Sequence, residues 1–176
     1  MADKGSFGHD RPSMKTLLIV YHTMTGGAHQ MAHAAARGAA TIGEVRVELR
    51  RAQGTAGQDI IAADGYVFAT PENLAAVSGM MKDFFDRTYY AALDRIGGRP
   101  YAMLVCAGSD GSNAVRQIER IAAGWRLRRV CEPVIVCTKA QTPEAILAPK
   151  VISPDDLRRC EEVGMKLAAG LAAGVY

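Results

Sequence analysis

The sequence predicts an α/β fold in which five parallel strands form one sheet, with helices on both faces to make a three-layer sandwich. Short apolar runs, typical of strands buried on both faces, alternate with segments whose apolar residues recur at helical spacing. This alternation repeats five times, which is the pattern of strands joined by crossover helices. A chain of 176 residues is long enough for one such domain, which we assign to residues 15–176.

The first predicted strand, residues 17–21, leads through a loop of small and hydroxylated residues into a helix over residues 29–40. A buried strand, a tight loop and a helix N-terminus together form an anion site, because the loop N–H groups and the helix dipole face the ligand. Thr23 and Thr25 add hydroxyl donors. We therefore predict a phosphate site here, and an ordinary strand-to-helix turn with a threonine cap is the alternative.

The hydrophobic patterns of the second and third strands predict different degrees of burial. Residues 44–50 alternate strictly, which predicts a strand with one wet face at a sheet edge. Residues 66–70 form an apolar run, and we expect this third strand to end at Pro71, which has no N–H for a ladder. A loop over residues 71–79 then leads into a helix with a broad apolar stripe.

The remaining elements complete the alternation. Residues 101–106 form a fourth buried strand, followed by a glycine-rich loop and a helix. Residues 130–137 form a fifth, with Pro133 indicating an edge or a bulge. After a proline-containing connection over residues 138–152, Ser153 as N-cap and Pro154 open a last helix that extends to about Gly174.

Three loops follow the first, third and fourth strands, so all three open on the same edge of a parallel sheet. All are rich in small residues, which lets the backbone approach a flat ligand closely. In the predicted arrangement, the N–H groups of the second and third loops can bond the edge of an aromatic heterocycle.

These motifs resemble known families. Residues 64–71 and 78–87 are similar to NADPH-dependent FMN reductases and to tryptophan-repressor-binding-type NAD(P)H:quinone reductases, and the first loop resembles the FMN phosphate loop of flavodoxins. The matched positions are Thr70, Pro71, Val77, Ser78, Gly79, Met81, Lys82, Phe85 and Asp86. The resemblance covers residues 15–137 and implies a flavodoxin-like fold with sheet order 2-1-3-4-5.

The resemblance also implies which residues bind the cofactor. Around the FMN phosphate it places Thr23, Met24, Thr25, Gly26, Gly27 and Ala28. Along the isoalloxazine ring it places Pro71, Glu72, Asn73 and Leu74, and over the pyrimidine side of the ring Ala107, Gly108, Ser109, Asp110, Gly111 and Ser112. The flavin supplies the redox chemistry in these families, so we expect no catalytic acid–base triad. The cysteines lack C-x-x-C spacing, so we expect no metal site.

The implied function is an oxidoreductase that passes electrons from NAD(P)H through FMN to a quinone or similar small-molecule acceptor. One alternative is an electron-carrier flavodoxin, but such carriers are typically acidic, whereas this chain has a net charge of +3 and a pI of about 8.7. The other is a flavodoxin-like protein that has lost tight FMN binding. It is favoured by Ala28, Leu74 and Glu72, where the families carry a hydroxyl, an aromatic ring and no added charge.

Composition and charge indicate which kinds of partner and cellular environment to expect. The net charge of +3 is too mild to indicate nucleic acid, and no apolar run approaches the roughly 20 residues that span a membrane. Four cysteines without C-x-x-C spacing favour a reducing cytoplasm, and residues 1–14 are predicted to be a flexible leader. The breadth of the apolar stripe along residues 77–90 predicts a homodimer or higher homo-oligomer through that helix.

Overall fold

The computed structural model describes residues 14–176, which contain seven strands, six α-helices and one turn of 3-10 helix at Ala52–Gly54. The strands are β1 Lys15–Tyr21, β2 Val45–Arg51, β3 Gly65–Asn73, β4 Ala76–Val77, β5 Pro100–Ala107, β6 Arg128–Arg129 and β7 Val134–Cys137. The helices are α1 Gly27–Ala40, α2 Gly57–Ala62, α3 Gly79–Ala92, α4 Ser112–Gly124, α5 Pro143–Leu147 and α6 Pro154–Ala172.

The sheet has the strand order β2-β1-β3-β5, with β6 and β7 both lying beside β5. All of these neighbours pair in parallel. The predicted order of the main strands is therefore confirmed, with β5 and the β6–β7 pair in the fourth and fifth places. The expected count of five is too low, because the chain adds the hairpin strand β4 and divides the last strand in two.

The predicted fifth strand, residues 130–137, is wrong in its bounds. β6 pairs with the start of β5, and β7 pairs with its end, so the two pieces share one position in the sheet. The N–H of Val130 still donates to Tyr101, but the chain then leaves the ladder until Val134. Pro133 lies in this gap, where its missing N–H leaves no ladder bond unmade.

The expectation that the third strand ends at Pro71 is also wrong, because β3 continues to Asn73. Pro71 stays in register with Cys106 of β5, and the chain then turns back to pair in antiparallel with β4. A proline removes only one donor, so a strand that is leaving the parallel sheet for a hairpin tolerates it.

The three layers follow from the alternation of side chains along β1, which is buried over Leu17–Tyr21. Leu17 and Ile19 pack with α1 and α6 on one face, whereas Leu18 and Val20 pack with α3 and α4 on the other. β2 lies at the edge with one face partly exposed, as predicted. Helix α6 begins with Ser153 as its N-cap, which accepts from the N–H of Asp156, also as predicted.

The predicted leader lies outside the described residues except for Met14. Within residues 14–176, none of the helices has the length and the apolar character needed to cross a membrane.

Candidate functional site

A cavity of about 610 Å³ opens at the carboxyl ends of the parallel strands. Four segments of the chain surround it, three of them the loops after β1, β3 and β5, and the fourth the connection between β7 and α6. Its lining residues are Thr23, Met24, Thr25, Gly27, Ala28, Pro71, Glu72, Asn73, Leu74, Ala75, Cys106, Ala107, Gly108, Ser109, Thr138, Ala140, Gln141, Ile146, Leu147 and Lys150.

The first loop forms the end of the cavity at the start of α1. Gly26 takes a left-handed φ of 90°, and its N–H donates to Thr23 Oγ1 at 3.0 Å, which leaves the Thr23 hydroxyl proton free to donate elsewhere. The N–H groups of Gly27 and Ala28 belong to the first turn of the helix, which has no intrahelical acceptor for them. This end of the cavity therefore carries backbone and hydroxyl donors and the positive end of a helix dipole.

The second loop is the β3–β4 hairpin, and two buried hydroxyl groups fix its base. Thr70 Oγ1 and Ser78 Oγ lie 3.0 Å apart, and both residues are fully buried. The N–H of Val77 donates to Gln117 of α4 at 2.8 Å, so the hairpin is also fastened to the neighbouring helix. The family-like residues Thr70 and Ser78 thus hold the loop in place and do not line the cavity.

The tip of the hairpin projects over the cavity. Leu74 and Ala75 both have positive φ, at 49° and 60°, as a type I′ turn requires, although neither is the glycine or asparagine that favours it. The side chain of Leu74 is fully exposed, at 101%. It therefore lies at the mouth of the cavity, and no residue within 14–176 covers it.

The third loop is joined to the second by Glu72. Its Oε2 accepts from the N–H of Gly111 at 2.7 Å, while its Oε1 is buried and has no hydrogen-bond partner among the described residues. A buried acceptor without a partner is costly unless a ligand supplies a donor. Glu72 thus fixes the distance between two loops and leaves one carboxylate oxygen for a bound molecule.

The fourth segment, residues 138–150, lies within the predicted connection over residues 138–152. Its first N–H groups, of Thr138 and Lys139, donate to Ala107 and Gly108 at 2.8 Å, and its last, of Lys150, donates to Thr25 at 2.8 Å. It therefore crosses from the third loop to the first and closes the cavity on one side. The local signal that could have indicated helix α5 is Thr142-Pro143, an N-cap followed by a proline at the first helical position.

The structure brings most of the predicted cofactor-binding residues together. Those that line the cavity are Thr23, Met24, Thr25, Gly27, Ala28, Pro71, Glu72, Asn73, Leu74, Ala107, Gly108 and Ser109. The others, Gly26, Asp110, Gly111 and Ser112, lie beside it. Two of these four are N-caps, Gly26 of α1 and Gly111 of α4. Sequence reasoning missed the lining residues Ala75, Cys106, Thr138, Ala140, Gln141, Ile146, Leu147 and Lys150.

One of the lining residues is a cysteine, Cys106, which is only 7% exposed. Burial raises the pKa of its thiol to about 11, although nearby Lys150 acts in the opposite direction. The thiol is therefore protonated at neutral pH and behaves as a small apolar group in the wall of the cavity.

Two known proteins are similar in sequence to part of this chain. The chain is 30% identical over 95 residues to a protein of Acidithiobacillus ferrooxidans named NAD(P)H dehydrogenase (quinone), covering 43% of this chain and 48% of that protein. It is 36% identical over 73 residues to a flavodoxin of Aquifex aeolicus, covering 42% of this chain and 40% of the relative. The matches thus span less than half the length of both relatives.

A solved structure extends the likeness in fold to most of the chain. The flavodoxin, WrbA-like protein of Agrobacterium tumefaciens superposes with a TM-score of 0.70 at 19% identity, covering 91% of this chain and 98% of that one. This confirms the predicted flavodoxin-like fold.

The sequence pattern of one family matches residues 51–141, just over half of the chain. The matched range contains the second and third loops and the start of the fourth segment. The chain therefore belongs to the NADPH-dependent FMN reductase family, as its sequence motifs predicted.

Proposed function

We propose that the protein binds FMN in this cavity and passes electrons from NAD(P)H to a small acceptor such as a quinone. One observation carries the proposal: a single cavity joins the donor-rich start of α1 to two small-residue loops that flank its other end. Family membership and the relative named NAD(P)H dehydrogenase (quinone) support the reaction. The four thiols, all of them free, support action in a reducing compartment such as the cytoplasm.

The residues present fit FMN in size and in chemistry. A volume of about 610 Å³ lies within the range of about 300–1,000 Å³ that is typical of small-ligand sites. The donors at the start of α1 suit a phosphate, and the unpartnered oxygen of Glu72 suits the imide N–H at the edge of the isoalloxazine ring.

In this arrangement the chain binds and orients, and the bound flavin supplies the hydride and electron transfer. The N–H groups of Gly27 and Ala28, with the hydroxyl of Thr25, hold the phosphate. Glu72 accepts from the ring and keeps the third loop at a fixed distance through Gly111. Leu74 at the hairpin tip restricts the entrance through which a nicotinamide or an acceptor approaches.

The test is a fluorescence titration of FMN with the purified protein, followed by addition of NADPH under nitrogen. We expect quenching of FMN at micromolar concentrations and then bleaching of the flavin absorbance near its oxidised maximum. Absence of quenching at tens of micromolar FMN would support the alternative that the fold has lost tight FMN binding, which Ala28 and the fully exposed Leu74 favour. Binding without reduction by NADPH would favour an electron carrier.

Glu72 is expected to tune the redox properties of bound FMN. In Glu72→Gln, one amide oxygen still accepts from Gly111, but the negative charge beside the ring is removed and the second position becomes a donor. The loss of the charge favours the anionic reduced flavin over the oxidised form, whereas the new donor faces the imide N–H in both redox states and weakens the binding of both. We expect the reduction potential to rise by roughly 20–50 mV, measured by anaerobic dye titration.

The matched control for this prediction is Asp110→Asn, which removes a charge from an exposed residue of the third loop outside the cavity. Solvent screens that carboxylate, so its loss should shift the potential by less than half as much. An unchanged potential in Glu72→Gln would show that the carboxylate does not act on the ring.

We further propose that two copies associate through the outer face of α3. The predicted apolar stripe is divided: Met81, Phe84 and Phe85 are buried, whereas Tyr90 is 82% exposed beside a shallow groove. Lys82 and Asp86 form an ion pair along this groove. A patch that carries both charges is self-complementary under a two-fold axis, which supports a second copy as its occupant.

Tyr90→Glu is therefore expected to reduce the mass in solution from that of an oligomer to that of a monomer, because it places a charge in the apolar centre of the contact. Light scattering after gel filtration measures this. The control is Val175→Glu, at a residue that is 67% exposed on the far C-terminal end. A wild-type protein that is monomeric at tens of micromolar would contradict the proposal.

A further inference from the structure

Lys150 differs from every other residue around the cavity in its charge. Of the described residues that line the cavity, it alone is cationic, and Glu72 is the only anion. Its backbone is fixed at the end of the cavity where α1 begins. The N–H of Lys150 donates to Thr25 at 2.8 Å, and its carbonyl accepts from Gln30 Nε2 at 2.7 Å. The stem of this lysine therefore begins beside the first loop.

The distance to the start of α1 is short. A Cβ atom placed on Gly27 would lie 3.4 Å from Lys150 Cβ, so the lysine stem is in contact with the first residue of the helix. Three further methylene groups separate Cβ from the ammonium, which is enough reach to place the charge in front of the helix N-terminus. A phosphate held by Gly27 and Ala28 would thus lie within range of this side chain.

In the structure the ammonium lies on α5. It donates to the carbonyl oxygens of Ala145 at 2.6 Å, Ile146 at 2.9 Å and Ala148 at 2.6 Å. Helix α5 buries none of its side chains, so these three carbonyls are close to solvent. Water can therefore reach these carbonyls when the ammonium leaves, and a charged acceptor can take the place of the three neutral ones.

We propose that Lys150 is a phosphate-binding residue, and that it makes the site prefer a phosphorylated flavin to an unphosphorylated one. The inference rests on the proposed function. A phosphate dianion binds an ammonium more strongly than neutral carbonyls do, because both partners of the bond are charged. The helix N-terminus and Lys150 then neutralise the phosphate together from two sides.

The proposal predicts an effect that depends on the phosphate of the ligand. FMN and riboflavin share the same ring and differ in the phosphate, so the ratio of their dissociation constants isolates the phosphate contribution. We expect Lys150→Met to weaken FMN binding about tenfold or more and to leave riboflavin binding within about twofold. Lys150→Arg, which keeps the charge, should retain most of the preference for FMN.

The matched control is Lys139→Met, which removes the same charge from an exposed residue of the same segment that does not line the cavity. It should leave both affinities within about twofold. Fluorescence titration of all four proteins with both flavins measures the two dissociation constants. We expect the preference for FMN over riboflavin to be lost in Lys150→Met and to be kept in the other three proteins.

Two results would overturn the proposal while the proposed function stands: Lys150→Met binding FMN as tightly as wild type, or losing FMN and riboflavin affinity equally, as a merely structural role predicts. A wild-type protein that binds neither flavin would instead overturn the proposed function, and this inference with it.

Discussion

Replacing Gly164 with alanine is expected to destabilise the fold by about 3 kcal/mol, or more if α1 and α6 cannot separate. A Cβ atom at Gly164 would overlap the backbone oxygen of Ala35 in α1, and one at Gly38 would overlap the backbone oxygen of Glu161 in α6. The two helices therefore cross in direct backbone contact. The atoms that a new methyl group meets belong to a helix backbone and have no rotamer by which to move aside.

Helix propensity alone predicts that the same substitution raises the stability. The sign of the measured change therefore distinguishes a packing clash from helix propensity. Alanine is favoured over glycine inside a helix by about 1 kcal/mol, so an open position would gain stability from the same change. Gly79, in the first turn of α3, serves as that control, because a methyl group placed on it would have nothing within 4 Å. Urea unfolding of both variants should give a lower midpoint for Gly164→Ala and an unchanged or higher one for Gly79→Ala.

The same crossing positions the end of the cavity at the start of α1, where Gly27 and Ala28 lie. A displaced α1 should also weaken FMN binding in Gly164→Ala. If stability and binding were both unchanged, the close backbone contact between α1 and α6 would not exist in solution.

The second large effect is expected at Gly27, where the first loop packs on β5. A Cβ atom there would overlap Cys106 Sγ, while Cys106 Cβ, at 3.5 Å, is in ordinary contact. Gly27→Ala should therefore cost about 1–3 kcal/mol and weaken FMN binding at least about tenfold, because either the loop or the thiol must shift into the cavity.

Removing the sulfur should reverse the loss. In the double variant Gly27→Ala with Cys106→Ala, the new methyl group occupies the space of the thiol, and we expect most of the stability and the affinity to return. Cys106→Ala alone controls for the thiol and should leave FMN affinity nearly unchanged. Additive losses in the double variant would contradict the packing explanation.

The parts of the fold that follow from local sequence could be predicted. The apolar run of β1, the strict alternation of β2 and the Ser153-Pro154 start of α6 each carry their own signal within a few residues. The order of the main strands could be predicted from the resemblance to flavodoxins, within the few arrangements that parallel strands joined by crossover helices allow.

The missed features depend on contacts between distant segments. Residues 138–150 cross the cavity because their two ends are held by Gly108 and Thr25, and nothing local indicates either partner. In the same way, Gly26 and Gly111 belong to small-residue loops as predicted, but both are helix N-caps and neither lines the cavity. The proline rule failed at Pro71 because the next ladder bonds come from a hairpin that the sequence did not indicate.

The buried hydroxyl pair of Thr70 and Ser78 has an evolutionary consequence. It anchors the hairpin below the point where the chain reaches the ligand, and Gln117 anchors its side. The hairpin tip can therefore change in sequence or in length without loosening the sheet. Changes of ligand preference and maintenance of the scaffold become separable, so a lineage can diversify its substrates through these few positions alone.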